Sequence, residues 1–294
     1  MMTAHLGTVH DEATREDPQL GPDTLLWRYL GDLRLFLVAA PYGLLELMHP
    51  AVGAGVTQHS DFFGDPWDRV LRSIPEIIGT VYDPAERGTG TRVRDYHRDI
   101  RGTDEHGERY HALNPEIYYW THATMVQAVI DIADVFGDGL STSEREQLYQ
   151  ESKTWFRRYG VSDRPMPADY AAFQRYFQDI CRDVLEATAS ARWLTERLRF
   201  TSDMRLPYLP QPVERVLRPV IMSEYRVITA ALLPEPARDT LGLRYSKTDQ
   251  AHFRAAASLI RNAWSLVPEP LRYHPRAREG MRHARALGQN RVHA

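Results

Sequence analysis

Apolar positions recur along this chain at intervals of three and four residues, the spacing of one buried helical face. The clearest run is Ile117, Trp120, Ala123, Val126, Val129, Ile130, Ala133 and Phe136. Asn114–Pro115–Glu116 opens it with a proline in the first turn, and Gly137 and Gly139 stop it. Ser141–Thr142–Ser143–Glu144 reads as a capping box, a hydroxyl followed three residues on by a glutamate, and predicts a helix to Gly160.

The same reading predicts a short helix over 24–33 capped from Asp23, then an apolar segment to about Ala39 that Pro41–Tyr42–Gly43 interrupts. Two short pieces follow, Leu44 to His49 and Ala51 to Gln58, parted at Pro50. Asp65–Pro66 starts a helix through Val70, Ile74 and Ile78, and Asp83–Pro84 starts another that ends at Gly102. TDEHGERYHALNP reads as a polar loop. Further helices are expected from Asp169 to about Thr188, over 191–200, over 213–232 after the proline-rich turn LPYLPQP, and over 248–266. No segment alternates with period two for long enough to be a strand. The expectation is an all-α protein, a single-domain helical bundle over 23–271. A polar lead-in of 1–22 precedes it and a basic tail of 272–294 follows.

Composition narrows the classes. The net charge of −3 argues against a nucleic-acid partner. A single cysteine, Cys181, excludes an internal disulfide, and its place among Phe177, Val184 and Leu185 suggests a buried, inert thiol. The N-terminus lacks the basic start and apolar run of a signal peptide. The longest apolar stretch, Leu35 to Met48, holds Pro41, Gly43 and Glu46 and is too short to span a bilayer. The expected location is cytoplasmic. The tail from Arg272 to His293, with six arginines, three histidines and one glutamate, offers peripheral membrane contact as the lesser option.

Reactive side chains stand among apolar ones at a few places. On a helix, His97 shares a face with Val93 and Ile100 and so points inward, as a satisfied core imidazole or as an axial ligand to haem iron. Arg69, Arg72 and Ser73, at i, i+3 and i+4, form either a solvated basic edge or a set for anion recognition. His49, at a helix break, and His122, on the stripe with Val126 and Val129, rival His97, and spacing alone does not rank them. His59 reads as a helix-end or surface residue. Glu46–Leu–Met–His49 and Glu108–Arg–Tyr–His111 are both E-x-x-H, the spacing of a di-iron carboxylate site. There is no G-x-S-x-G, P-loop, G-x-G-x-x-G or zinc-type cysteine pair.

The order HPAVGAGVTQHSDF, DPWDRVLRS, YHRDIRG, NPEIYYWTHATMV and LSTSEREQLYQESKTWFRRYGV, over roughly residues 30–220, resembles the rubber-oxygenase and mpaB-type oxygenase family. The resemblance implies an all-helical fold with a globin-like core in the rubber-oxygenase branch. It also implies a b-type haem and cleavage of isoprenoid double bonds with dioxygen. It maps the family's proximal histidine to His97, its distal arginine to Arg69, and its distal lysine and threonine to Arg72 and Ser73. Arg72 departs from the pattern, because arginine stays protonated and is a poor iron ligand. An open sixth site or His49 would take that place. The family's catalytic glutamate would fall near Gly53, where the chain has none, and Glu46 is the nearest acid.

The reading that follows is a haem b-dependent oxygenase of a hydrophobic small molecule, with His97 on the iron. Arg69 and Arg72 would hold propionates or polarise dioxygen, Ser73 would donate a hydrogen bond, and the faces around Trp120 would shape the pocket. A haem- or lipid-binding protein without turnover is the second expectation, and a di-iron oxidase the third.

Overall fold

The computed structural model describes residues 19–64, 66–199 and 210–292. The polar lead-in up to residue 18 and most of the proline-rich turn lie outside them.

Fourteen helices and one small hairpin make up the described chain. The first, α1 (Leu25–Tyr29), is capped by Thr24 rather than by Asp23, its hydroxyl accepting from the Trp27 amide. The buried Glu151 carboxylate accepts from the amides of Leu25 and Leu26 at 3.2 and 2.8 Å, satisfying two donors that a helix start leaves open. Next, α2 (Leu35–Met48) runs without a break through Pro41, which corrects the expected interruption. An interior proline costs a helix about 3 kcal/mol. Burial of Val38, Tyr42, Leu44, Leu45, Leu47 and Met48 on the same helix outweighs that cost. The break comes at His49–Pro50, where α3 (Pro50–His59) leaves at 100° to α2.

The chain then forms α4 (Pro66–Tyr82), a 3-10 turn at Ala85–Arg87 and α5 (Thr89–Asp95). The segment read as a polar loop holds an antiparallel hairpin, β1 (Arg101–Thr103) and β2 (Arg109–His111), with Gly102 opposite Tyr110. Strands of three residues are too short to show period two. Tyr110 packs inward on Ala51 and Ala54 of α3.

The long α6 (Pro115–Phe136), with Asn114 as its cap, and α7 (Thr142–Arg157), with the Ser141–Glu144 capping box formed, match the sequence signals. They are followed by α8 (Tyr170–Asp183), α9 (Ala189–Arg199), α10 (Gln211–Leu232), α11 (Glu235–Thr240), α12 (Lys247–Trp264), α13 (Glu269–Arg272) and α14 (Pro275–Val292). At the centre α2 lies along α6, with α9 and α10 on its other sides. One continuous core runs through these helices, and Cys181 is buried in it as expected. The basic tail forms α14, which docks on α4 through fully buried Ala277 and an ion pair from Arg276 to the buried Asp83. No single helix among the described residues is long and apolar enough to cross a membrane.

A buried ion pair ties the two ends of the domain together. Asp32 receives Arg34 through Nε at 2.9 Å and Nη2 at 2.6 Å, and also accepts from Trp264 Nε1 of α12 at 3.1 Å. Arg34 Nη1 donates to the Phe136 carbonyl at the end of α6. Replacing Asp32 by alanine leaves a buried guanidinium without its counter-charge, and is expected to cost about 3–5 kcal/mol. Thermal denaturation should then shift down by about 10 °C. An unchanged melting temperature would show that Arg34 finds water instead.

Candidate active site

α2 is apolar over its whole length except for Glu46. With α6, α9 and α10 packed around that helix, Glu46 is left only partly exposed. It accepts from the Thr124 hydroxyl of α6 at 2.9 Å. Burial pushes its pKa up to about 7, against smaller lowering effects of the Thr124 hydrogen bond and of Arg69. Glu46 therefore lies near half ionisation at neutral pH, the condition in which a carboxyl both takes and returns a proton.

Arg69 of α4 faces Glu46 across a cavity of about 120 Å³. The wall is otherwise apolar but for the Tyr225 hydroxyl, with Gly43 and Leu47 of α2, Val56 of α3, Phe62, and Leu194 and Leu198 of α9. Arg69 Nη1 is buried with no hydrogen-bond partner. Desolvation pulls the guanidinium pKa down, Glu46 pulls it back up, and Arg72 lowers it further.

His97 lies one residue beyond the Tyr96 cap of α5, in a turn closed by hydrogen bonds from the His97 amide to Arg94 O and from the Ile100 amide to His97 O. The expected continuous helix to Gly102 is thus corrected: it stops at Asp95 and the chain turns into the hairpin. The imidazole is still held inward. Nδ1 sits 2.9 Å from the Val93 carbonyl, which can only accept, so Nδ1 carries the proton and Nε2 the lone pair. The ring meets Tyr118 edge-on at 5.6 Å. Its pKa is lowered chiefly by burial, with the Val93 carbonyl opposing and Arg69 adding to the shift. Arg69 therefore stands within electrostatic reach of both His97 and Glu46.

The other expected site residues fall elsewhere. Arg72 and Ser73 are exposed, and Arg72 pairs with Asp68 one turn back at 2.9 Å, both side chains in solvent. The face shared by positions 69, 72 and 73 is thus split, with only Arg69 reaching the cavity. His122 is buried against Tyr119, Trp155, Phe156 and Tyr159, and its Nε2 meets the Ser152 carbonyl at 3.1 Å. Burial lowers its pKa to about 3, so it is a neutral core imidazole. His49 heads α3 with a buried, unpartnered Nδ1, and burial lowers its pKa to about 4 against the pull of Asp104. His59 is exposed and bonds to Arg101 O at 3.0 Å. Trp120 is core: its Nε1 donates to Leu45 O and its ring packs on Phe177, away from the cavity wall.

The di-iron spacing does not assemble. Glu108 and His111 are exposed on and beside β2, and no three His, Cys, Asp or Glu side chains among the described residues gather to hold a metal. Glu46 is the cavity residue that sequence reasoning placed in no firm role. The signal was present, since Glu46 is the lone charge in an otherwise apolar helix.

The sequence profile of the family "ER-bound oxygenase mpaB/B'/Rubber oxygenase, catalytic domain" matches residues 27–262. The chain belongs to this family. Its helical architecture accords with the resemblance read from the motifs, and the match makes the domain an oxygenase catalytic domain. The chain is similar to uncharacterised proteins of Mycobacterium bovis and Mycobacterium tuberculosis, each 25% identical over 238 residues, covering 79% of this chain and 89% of the relative. No solved structure matches it significantly. The oxygenase match ends at residue 262, so α13 and α14 lie beyond it, although α14 packs on α4.

The haem that the resemblance implies can be tested against the donors present. His97 suits an iron: its tautomer is fixed by a carbonyl and Nε2 has no hydrogen bond. Arg69 suits a carboxylate or a developing negative charge through its free Nη1. The cavity itself is smaller than a tetrapyrrole and His97 is not in its wall. The donors fit the group; the cavity is space for another molecule.

Proposed function

We propose that this oxygenase domain uses haem b and acts on a hydrophobic small molecule, an isoprenoid or lipid, taken into the cavity between Glu46 and Arg69. The observation that carries the reading is the His97 imidazole, tied at Nδ1 to Val93 O with an unbonded lone pair on Nε2 and within electrostatic reach of Arg69. The chemistry that bound haem supplies is activation of dioxygen, the co-substrate. The chain's own residues do the rest. The apolar walls of α2, α3 and α9 exclude water and orient an apolar body. Arg69 offers an unpaired cationic donor to negative charge. Glu46 takes or returns a proton near neutral pH. Arg72 and Ser73 face solvent and are given no part in this reading.

The test is a visible spectrum of protein produced with ample haem, followed by incubation with dioxygen and prenyl compounds. A Soret band and carbonyl products of double-bond cleavage are expected. A colourless protein carrying non-haem iron would overturn the cofactor. A haem protein that forms no product with any prenyl or lipid compound would overturn the reaction.

A further inference from the structure

The cavity admits a short apolar body and holds one feature that a hydrocarbon does not satisfy. Its wall is apolar apart from Glu46, Arg69 and Tyr225, and its volume of about 120 Å³ is close to the ~150 Å³ in which an apolar protein cavity holds a benzene ring. A body of about six carbons fits. Arg69 lines this space, and its Nη1 is sealed from water without an acceptor. A buried donor left unpaired is costly, and arginine cannot escape the cost by losing its proton. Glu46 does not answer it inside the chain, since it accepts from the Thr124 hydroxyl and no ion pair to Arg69 forms among the described residues.

We propose that the cavity binds a hydrophobic monocarboxylate, its apolar body against α2, α3 and α9 and its carboxylate on Arg69 Nη1. This rests on reading the cavity as the substrate site of the oxygenase. A carboxylate brings the missing acceptor and the opposite charge together, and such charge-assisted bonds are the strong ones. One guanidinium balances one negative charge, which selects a monoanion over a phosphate dianion. An uncharged alkene leaves Nη1 as it is. A carboxylate could also come from haem, as a propionate, and the two sources are separable by experiment.

The probes are benzoate and its uncharged analogue toluene, titrated by calorimetry into the full chain, first without haem and then with haem loaded. Benzoate is expected to bind at least tenfold more tightly than toluene. Arg69→Met should weaken benzoate at least tenfold while leaving toluene unchanged or tighter. That variant replaces an unpaired buried charge by an apolar chain, so it is expected to fold. Gly43→Leu is the second variant. A side-chain carbon at Gly43 meets nothing within 4 Å, so leucine grows into open space on the wall and should weaken both ligands. Equal affinity of wild type for the two probes, no binding of benzoate, or benzoate affinity unchanged in Arg69→Met would each overturn the proposal. Loss of benzoate binding on haem loading would assign Arg69 to a propionate and overturn it too. Retention in the haem-loaded protein supports it. The haem-free titration requires neither haem nor turnover, so a missing Soret band or product would sink the oxygenase reading without touching this result.

Discussion

Replacing His97 by alanine is expected to abolish the Soret band of protein produced with ample haem, and with it all oxygenase activity. His122→Gln, at the rival position, is expected to keep both. The contrast follows from where each ring lies. His97 gives its Nδ1 proton to Val93 O and keeps an unbonded lone pair on Nε2. His122 likewise gives one N–H to a carbonyl, from Nε2 to Ser152 O, but it is fully buried among four aromatic side chains, whereas His97 is only half-buried. An axial ligand is the main covalent hold on a b-type haem, so its loss is an all-or-none effect on binding rather than a graded one. Far-ultraviolet circular dichroism should show native helix content in His97→Ala, since the ring sits in a turn and only half-buried. The reverse pattern, with the band lost in His122→Gln and kept in His97→Ala, would move the ligand to α6.

Glu46→Gln should lower turnover by about 10²–10⁴-fold, the range for removing a positioned general base or acid. The rate of the wild type should also rise with pH through an inflection near 7, where Glu46 ionises, and that inflection should vanish in the variant. The same group sets a stability signature of defined sign. Its folded pKa, about 7, lies above the ordinary 4.5, so between those values the folded chain holds a proton that the unfolded chain releases. Stability therefore falls as pH rises from 4.5 to 7 and levels off above, by about 3 kcal/mol in all. Glu46→Gln removes the loss. Urea denaturation should find the variant equal to wild type at pH 4 and more stable by about that amount at pH 8. A variant less stable at pH 8 would mean that the carboxylate is paired in the folded chain. A stability gain with turnover unchanged would leave Glu46 as a buried acid without a catalytic part.

Much of the fold was legible because its signals are local. The Asn114 cap, the Ser141–Glu144 box and the eight-residue stripe of α6 each depend on residues within a few positions of one another, and all three are formed as read. The inward bias of His97 was legible too, since its bond reaches back only four residues to Val93. The places where reading failed are those where distant parts of the chain outweigh a local preference. Pro41 breaks an isolated helix, yet α2 stays whole because α6, α9 and α10 bury it. The β1–β2 hairpin is too short to leave a periodic trace, and it forms because Tyr110 finds α3 beneath it.

The chain's own sequence determined the helical class, the caps of α6 and α7, the family motifs and the inward bias of His97 and His122. Only the tertiary structure decided which of three residues on the α4 face lines the cavity. Arg69 is covered by neighbouring helices, while Arg72 and Ser73, within four residues of it, are left to water. It also decided that Glu46 titrates near neutrality, because a carboxyl's pKa depends on what surrounds it in space. Spacing along a chain fixes which residues share a face. Burial and charge at that face come from elements far away in sequence.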